Sequence, residues 1–136
     1  MSIVKTGYFY QAGKDKGLNF ISIAVGNPRF LKTPVKMAKL APTWALLKAY
    51  RADEIDDEGY IDAFNKQLEK MDAKEVIKEI ESTEWEENIL MCHCNQSSFC
   101  HRHLVAEWLE RKLGIEIHEH LAGKVVRSKG RIVSHG

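Results

Sequence analysis

Residues 88–113, NILMCHCNQSSFCHRHLVAEWLERKL, change periodicity within a short span, and that change limits the fold more than any other stretch of the chain. Ile89 to His93 reads as a buried strand, and Asn95 to Phe99 as a polar turn. From Cys100 onward, Leu104, Val105, Trp108, Leu109 and Leu113 recur at three- and four-residue spacings, which puts them on one face of a helix. Strands buried on both faces belong to parallel sheets whose crossovers are helices.

The rest of the chain supplies matching parts. Ile3 to Tyr10 is rich in β-branched and aromatic residues and reads as a strand, closed by the glycine-bearing QAGKDKG. Asn19 to Val25 is a second, nearly continuous apolar strand, stopped by Gly26-Asn27-Pro28. FLKTPVKMAKLAP has no clean period and reads as a long surface connection of the kind that more often carries function than not. Pro42 suits the first position of a short helix containing Trp44, Leu47 and Lys48 and ending near Arg51. Asp56 or Asp57 caps a helix whose Tyr60, Ile61, Phe64, Leu68 and Met71 share a face, and Asp72 with Glu75 opens a third whose stripe is Val76, Ile77 and Ile80. Gly114 suits a left-handed cap, and IEIHE alternates as a short strand with Ile115 and Ile117 opposed to Glu116 and His118. This order implies an α/β fold, a small mainly parallel sheet with helices packed on its faces. Residues 1–122 read as a single α/β domain and residues 123–136 as a basic C-terminal tail or weak hairpin.

With 136 residues, 44% of them hydrophobic, the chain can bury a core without covalent staples. No apolar run approaches the roughly 18 residues of a membrane span, and the N-terminal MSIVKTGYFYQAGK lacks the apolar block of a signal peptide, so a cytoplasmic protein with no membrane partner is expected. Three cysteines within nine residues do not make a disulfide framework and are expected to be reduced. The net charge of +1 hides an asymmetry: residues 1–52 carry nine bases against one acid, and residues 53–87 fourteen acids against four lysines. The acidic block reads as a solvated helical face, with basic loops left to surround an anion.

Ligands of open parallel sheets bind beyond the carboxyl ends of the strands. Two such ends are visible: one delivers Pro28 and Arg29, the other His93, Cys94, Ser97 and Ser98. Ser97 or Ser98 is the natural N-cap of the following helix, so Cys100, His101 and Arg102 fall in its first turn, where unpaired N–H groups favour an anion. In outline the Cys- and Arg-bearing loop resembles the anion cradles of phosphatases and rhodaneses. Those have about five residues between Cys and Arg, whereas seven separate Cys94 from Arg102 and one separates Cys100 from Arg102, so that mechanism is not assigned.

For the cysteines, Cys92 reads as a small core residue and Cys94 as part of the turn. Cys100 is a thiol nucleophile served by His101 or His103, or simply a small residue that lets a ligand approach. No metal site is assigned. The alternative is a zinc-stabilised interaction module drawing on Cys92, Cys94, Cys100, His101 and His103, a set with an unusual C-x-C spacing. His118 and His120 read as exposed, and His135 as tail. Nucleic-acid binding through the basic N-terminal half is a weaker alternative, because the bases lack interleaved aromatics.

Several of these segments together, ISIAVGNPRF, KLAPTWALLKAYRADEIDDEGYIDAFNKQL and Cys100-His101-Arg102 opening an amphipathic helix, resemble the family called domain of unknown function 488 (DUF488), over roughly residues 3 to 120. The resemblance implies a small cytoplasmic α/β protein of bacteria, archaea or phages. Its recognisable points fall on Pro28 and Arg29 in one loop and Cys100, His101 and Arg102 in the other. It implies no particular reaction and no cofactor. The departure is Cys92-His93-Cys94, where the family pattern has an acidic or aromatic residue soon after the strand cysteine.

These readings lead to a pocket for an anionic small molecule such as a nucleotide. Pro28, Arg29, Ser97, Ser98 and Arg102 are expected to bind it, Cys100 and His101 to act on it, and Tyr8 or Trp44 to stack on its ring.

Overall fold

The computed structural model describes residues 3–8, 18–25, 35–81, 86–93 and 99–135, except for the side chain of Val35. Strands β1 (Ile3–Tyr8), β2 (Asn19–Ser22), β3 (Val35–Lys36), β4 (Glu87–Cys92) and β5 (His118–Glu119) form one sheet in the order β3-β2-β4-β1-β5. Every pairing in it is parallel. Helices α1 (Trp44–Arg51), α2 (Asp57–Glu69), α3 (Ala73–Glu81) and α4 (His101–Leu113) pack around it, and β6 (Val125–Ser128) and β7 (Arg131–His135) make a separate antiparallel hairpin. The expected α/β architecture is the one the chain adopts. Among the described residues no helix is long and apolar enough to cross a membrane.

β4 is central because it is apolar on both faces: its residues from Asn88 to Cys92 are all buried. Successive side chains leave a strand on opposite sides. Leu90 accordingly joins Val4, Ile21, Phe64, Leu68, Val76, Ile80, Val105 and Trp108 in the main cluster, while Ile89 and Met91 join Ala24, Cys92 and Cys100 in a smaller one.

The helix starts follow local chemistry. Thr43 Oγ1 accepts the Leu46 N–H at 3.2 Å, so α1 is capped by Thr43 and Pro42 stands just ahead of the cap instead of inside the helix. Asp56 Oδ1 accepts the Gly59 N–H at 2.8 Å, and Gly114 takes the left-handed conformation at φ 66°. Two strands differ from expectation. β2 ends at Ser22, although the Ile23 N–H still donates to the Met91 carbonyl at 3.0 Å, and β5 is only two residues long. β3 lies within the stretch read as a surface connection, and a two-residue strand leaves no periodicity to detect.

The hairpin is tied to the start of α4. The Cys100 N–H donates to the Gly130 carbonyl at 2.9 Å, and the Gly130 N–H to Glu107 Oε2 at 3.1 Å. Gly130 sits at φ 77°, and a Cβ there would lie 2.6 Å from Phe99 Cε1, so the turn accepts only glycine. Phe99 in turn packs against the rings of Tyr50 and Tyr60.

Candidate functional site

β2 and β4 are neighbours, but the chain leaves them in opposite directions across the sheet, from β2 to β3 on one side and from β4 toward β5 on the other. Such a divergence opens a crevice at the carboxyl ends of the two strands. The structure has a cavity there of about 270 Å³, lined by Ala24 and Val25 after β2, Cys92 and His93 at the end of β4, His101 at the start of α4, and Pro42, Trp44, Leu47 and Arg51 around α1. Trp44, Leu47 and Arg51, three and four apart, lie on one helical face. Trp44 is 58% exposed, so its ring is open to contact, and Arg51 is also exposed.

The floor is held by backbone contacts. Cys100 is the N-cap of α4 in extended conformation, with no side-chain cap hydrogen bond. Its carbonyl accepts the His103 N–H at 3.1 Å and its own N–H is taken by Gly130, so that donor is not offered to an anion. His101, the first helical residue, is clamped: Nε2–H donates to the Ile23 carbonyl at 2.5 Å, and the ring meets Phe64 edge-on. A carbonyl can only accept, so Nδ1 carries the lone pair, and it faces Cys100 Sγ at 3.9 Å. Burial pulls the His101 pKa down to about 4 despite the Ile23 carbonyl, with the Arg102 and His93 charges adding to the fall. The ring is neutral at neutral pH.

Cys92 and Cys100 are joined through their sulfurs as a disulfide, with Cα atoms 7.7 Å apart, where the sequence reads reduced cysteines. The favoured sequence reading puts Cys92 in the core and Cys100 in the site, and only the zinc alternative brings the two together. The structure places them together, and Cys92 is the one that lines the cavity.

Arg102 is placed differently from expectation. Its side chain is fully buried, with Nη2 donating to Glu119 Oε2 at 2.9 Å, Nε to Glu119 Oε1 at 3.4 Å and Nη1 to the Cys92 sulfur at 3.0 Å. The guanidinium also lies 5.7 Å from the centre of the Tyr8 ring, and Tyr8 pairs in register with Cys92. A guanidinium enclosed by a carboxylate, a sulfur and a ring does not reach the cavity, so Arg102 supports the floor from behind, and among the described residues the arginine that lines the cavity is Arg51.

Glu119 is shared. Thr6 Oγ1 donates to its Oε1 at 2.6 Å, and Arg127, also buried, lies 3.9 Å from the same oxygen. Arg127 further donates to His103 Nδ1 at 3.0 Å, the Ile117 carbonyl at 2.6 Å and Thr6 Oγ1 at 2.6 Å. Burial lowers the Arg127 pKa from its ordinary value, and Glu119 and Glu110 oppose the fall. His103, one of the residues considered for zinc, therefore belongs to this network and not to the cysteine group. His120, expected exposed, is buried edge-on to Phe20, while His118 is partly exposed near Glu116.

Pro28, Arg29, Cys94, Ser97 and Ser98 lie outside the described residues. Of the residues expected at the site, the structure brings together Cys100, His101 and Arg102, and it adds Cys92, which the sequence reads as core. Sequence reasoning missed Arg51, Glu119 and Arg127. The first two had a signal: Arg51 shares helical spacing with Trp44, and Glu119 shares strand parity with Ile115 and Ile117, the face taken as apolar.

No curated protein and no solved structure matches this chain. A family model described as the active DUF488-N3 subclade matches residues 11–113, a span that begins before β2 and ends with the last residue of α4. By that match the chain belongs to the DUF488-N3a family.

Proposed function

We propose that the cavity between the ends of β2 and β4 binds an anionic small molecule bearing a planar ring, of the nucleotide class, and that its Cys/His floor acts on that molecule. The observation that carries this reading is a cavity with an open tryptophan and an arginine at its mouth and Cys92 and His101 at its base. A guanidinium pairs with phosphate oxygens through parallel N–H donors, and an exposed indole offers a stacking surface. At about 270 Å³ the space lies just below the roughly 300 to 1,000 Å³ of ordinary ligand pockets, which suits one ring system with its substituents. The matching family's description as an active subclade favours a chemical role over binding alone. Pro28, Arg29, Ser97 and Ser98 are assigned to the same anion in this reading, and Cys100 works through His101.

Calorimetric titration with nucleoside mono-, di- and triphosphates and with inorganic phosphate tests the proposal. At least one nucleotide is expected to bind. Arg51→Ala should weaken it by roughly 10-fold or more, the effect of losing one charge-assisted hydrogen bond, and Trp44→Ala by several-fold. Failure of every phosphorylated ligand to bind, or an Arg51→Ala protein that binds as well as the parent, overturns it.

A further inference from the structure

We infer that Cys92, Cys100 and His101 form a site for a zinc-class divalent ion whose fourth coordination position opens into the cavity. One ligand atom from each of these residues lies within 4.8 Å of the other two. Once a thiol reductant has opened the Cys92–Cys100 bond, two thiolates and an imidazole are the donor set that borderline-soft ions prefer, and three protein ligands with one open position is the pattern of metal sites that handle substrate.

Three further observations support the assignment. Metal-bound histidines usually give their other ring N–H to a carbonyl or carboxylate, which fixes the ring and leaves the ligating nitrogen bare. His101 meets that description, since Nε2–H is held by the Ile23 carbonyl and Nδ1 faces the sulfurs. The backbone frame is also too wide for a relaxed cystine: the Cα atoms of Cys92 and Cys100 are 7.7 Å apart, whereas disulfides usually span about 4.4 to 6.8 Å. An ion between two sulfurs needs a wider frame than a direct bond does. Third, the Arg102 guanidinium donates an N–H to the Cys92 sulfur at 3.0 Å and is itself held by Glu119, an outer layer suited to a sulfur that carries charge.

Cys92 and His101 both line the cavity, so the open position faces the ligand space, where water or an oxygen of the bound molecule completes the coordination. The role of that fourth position rests on the ligand-binding reading above. The three-ligand site does not.

Cobalt(II) is the probe. Protein purified under reducing conditions and stripped of metal is titrated with cobalt, and absorption is recorded. Stoichiometric uptake is expected, with a sulfur-to-cobalt charge-transfer band and the intense visible bands of a four-coordinate ion. Cys92→Ser, Cys100→Ser and His101→Ala should each weaken or abolish the charge-transfer spectrum, while Cys94→Ser should keep it. Because a floor variant can fail to fold, thiol labelling of the unaltered protein gives a second readout: zinc should protect two of its three thiols. Absence of a thiolate–cobalt band in the parent, loss of the band in Cys94→Ser, or a Cys92–Cys100 disulfide persisting under the reducing conditions overturns the assignment. Cobalt bound in this way without any nucleotide binding supports the metal site and defeats the ligand reading, so the two fail separately.

Discussion

Glu119→Ala is expected to destabilise the fold by about 3–5 kcal/mol, the usual cost of removing one partner from a buried ion pair. Its carboxylate is fully buried and lies between two buried guanidinium groups, with Oε2 at 2.9 Å from Arg102 and Oε1 at 3.9 Å from Arg127, the Thr6 hydroxyl also donating to Oε1. Without it, the two buried guanidinium groups lose the carboxylate that lies between them. For a chain of this size the loss corresponds to roughly 10–20 °C in melting temperature. Thermal denaturation followed by circular dichroism measures it. A loss below about 1 kcal/mol would mean that water reaches the two arginines and that the carboxylate is not their counter-charge.

Arg127→Ala is expected to cost about 3 kcal/mol or more and, unlike the first change, to release one element preferentially. Its side chain is the buried tie from β6 to β1, α4 and the segment before β5, through Thr6, His103 and the Ile117 carbonyl. Truncation leaves buried acceptors without their donor, each costing about 1–3 kcal/mol. Residues 125–135 should then exchange amide hydrogen and be cut by protease well before the sheet does. Since Arg127 and Glu119 share a network, the double variant should cost less than the two single effects added together. Equal exchange in the hairpin of parent and variant would contradict this role.

Sequence reasoning carried the fold further than the site, for physical reasons. Ile89 to Cys92 and the α4 stripe are long enough to show their periods, and each cap residue, such as Asp56 or Gly114, acts on its own neighbours. The site depends on long-range pairing. Arg102 looked like an anion ligand because it opens a helix, and only the pairing of β5 beside β1 brings Glu119 to neutralise it. Arg127 lies in a stretch with no acid and two internal glycines, which reads as a tail or weak hairpin with no signal that it folds back on α4. Cys92 continued an apolar strand and so looked like core. It is buried, yet its position at the end of β4 also makes it part of the cavity floor.

Heteronuclear NMR tests the central claim, a ligand crevice between the ends of β2 and β4, most directly. In a titration of labelled protein with the nucleotide panel, the largest amide shifts should fall on Ala24, Val25, Leu47, Arg51, Cys92 and His93, with the hairpin and the acidic face of α2 unmoved. Shifts centred on any other surface, or none with every nucleotide tried, would contradict the account.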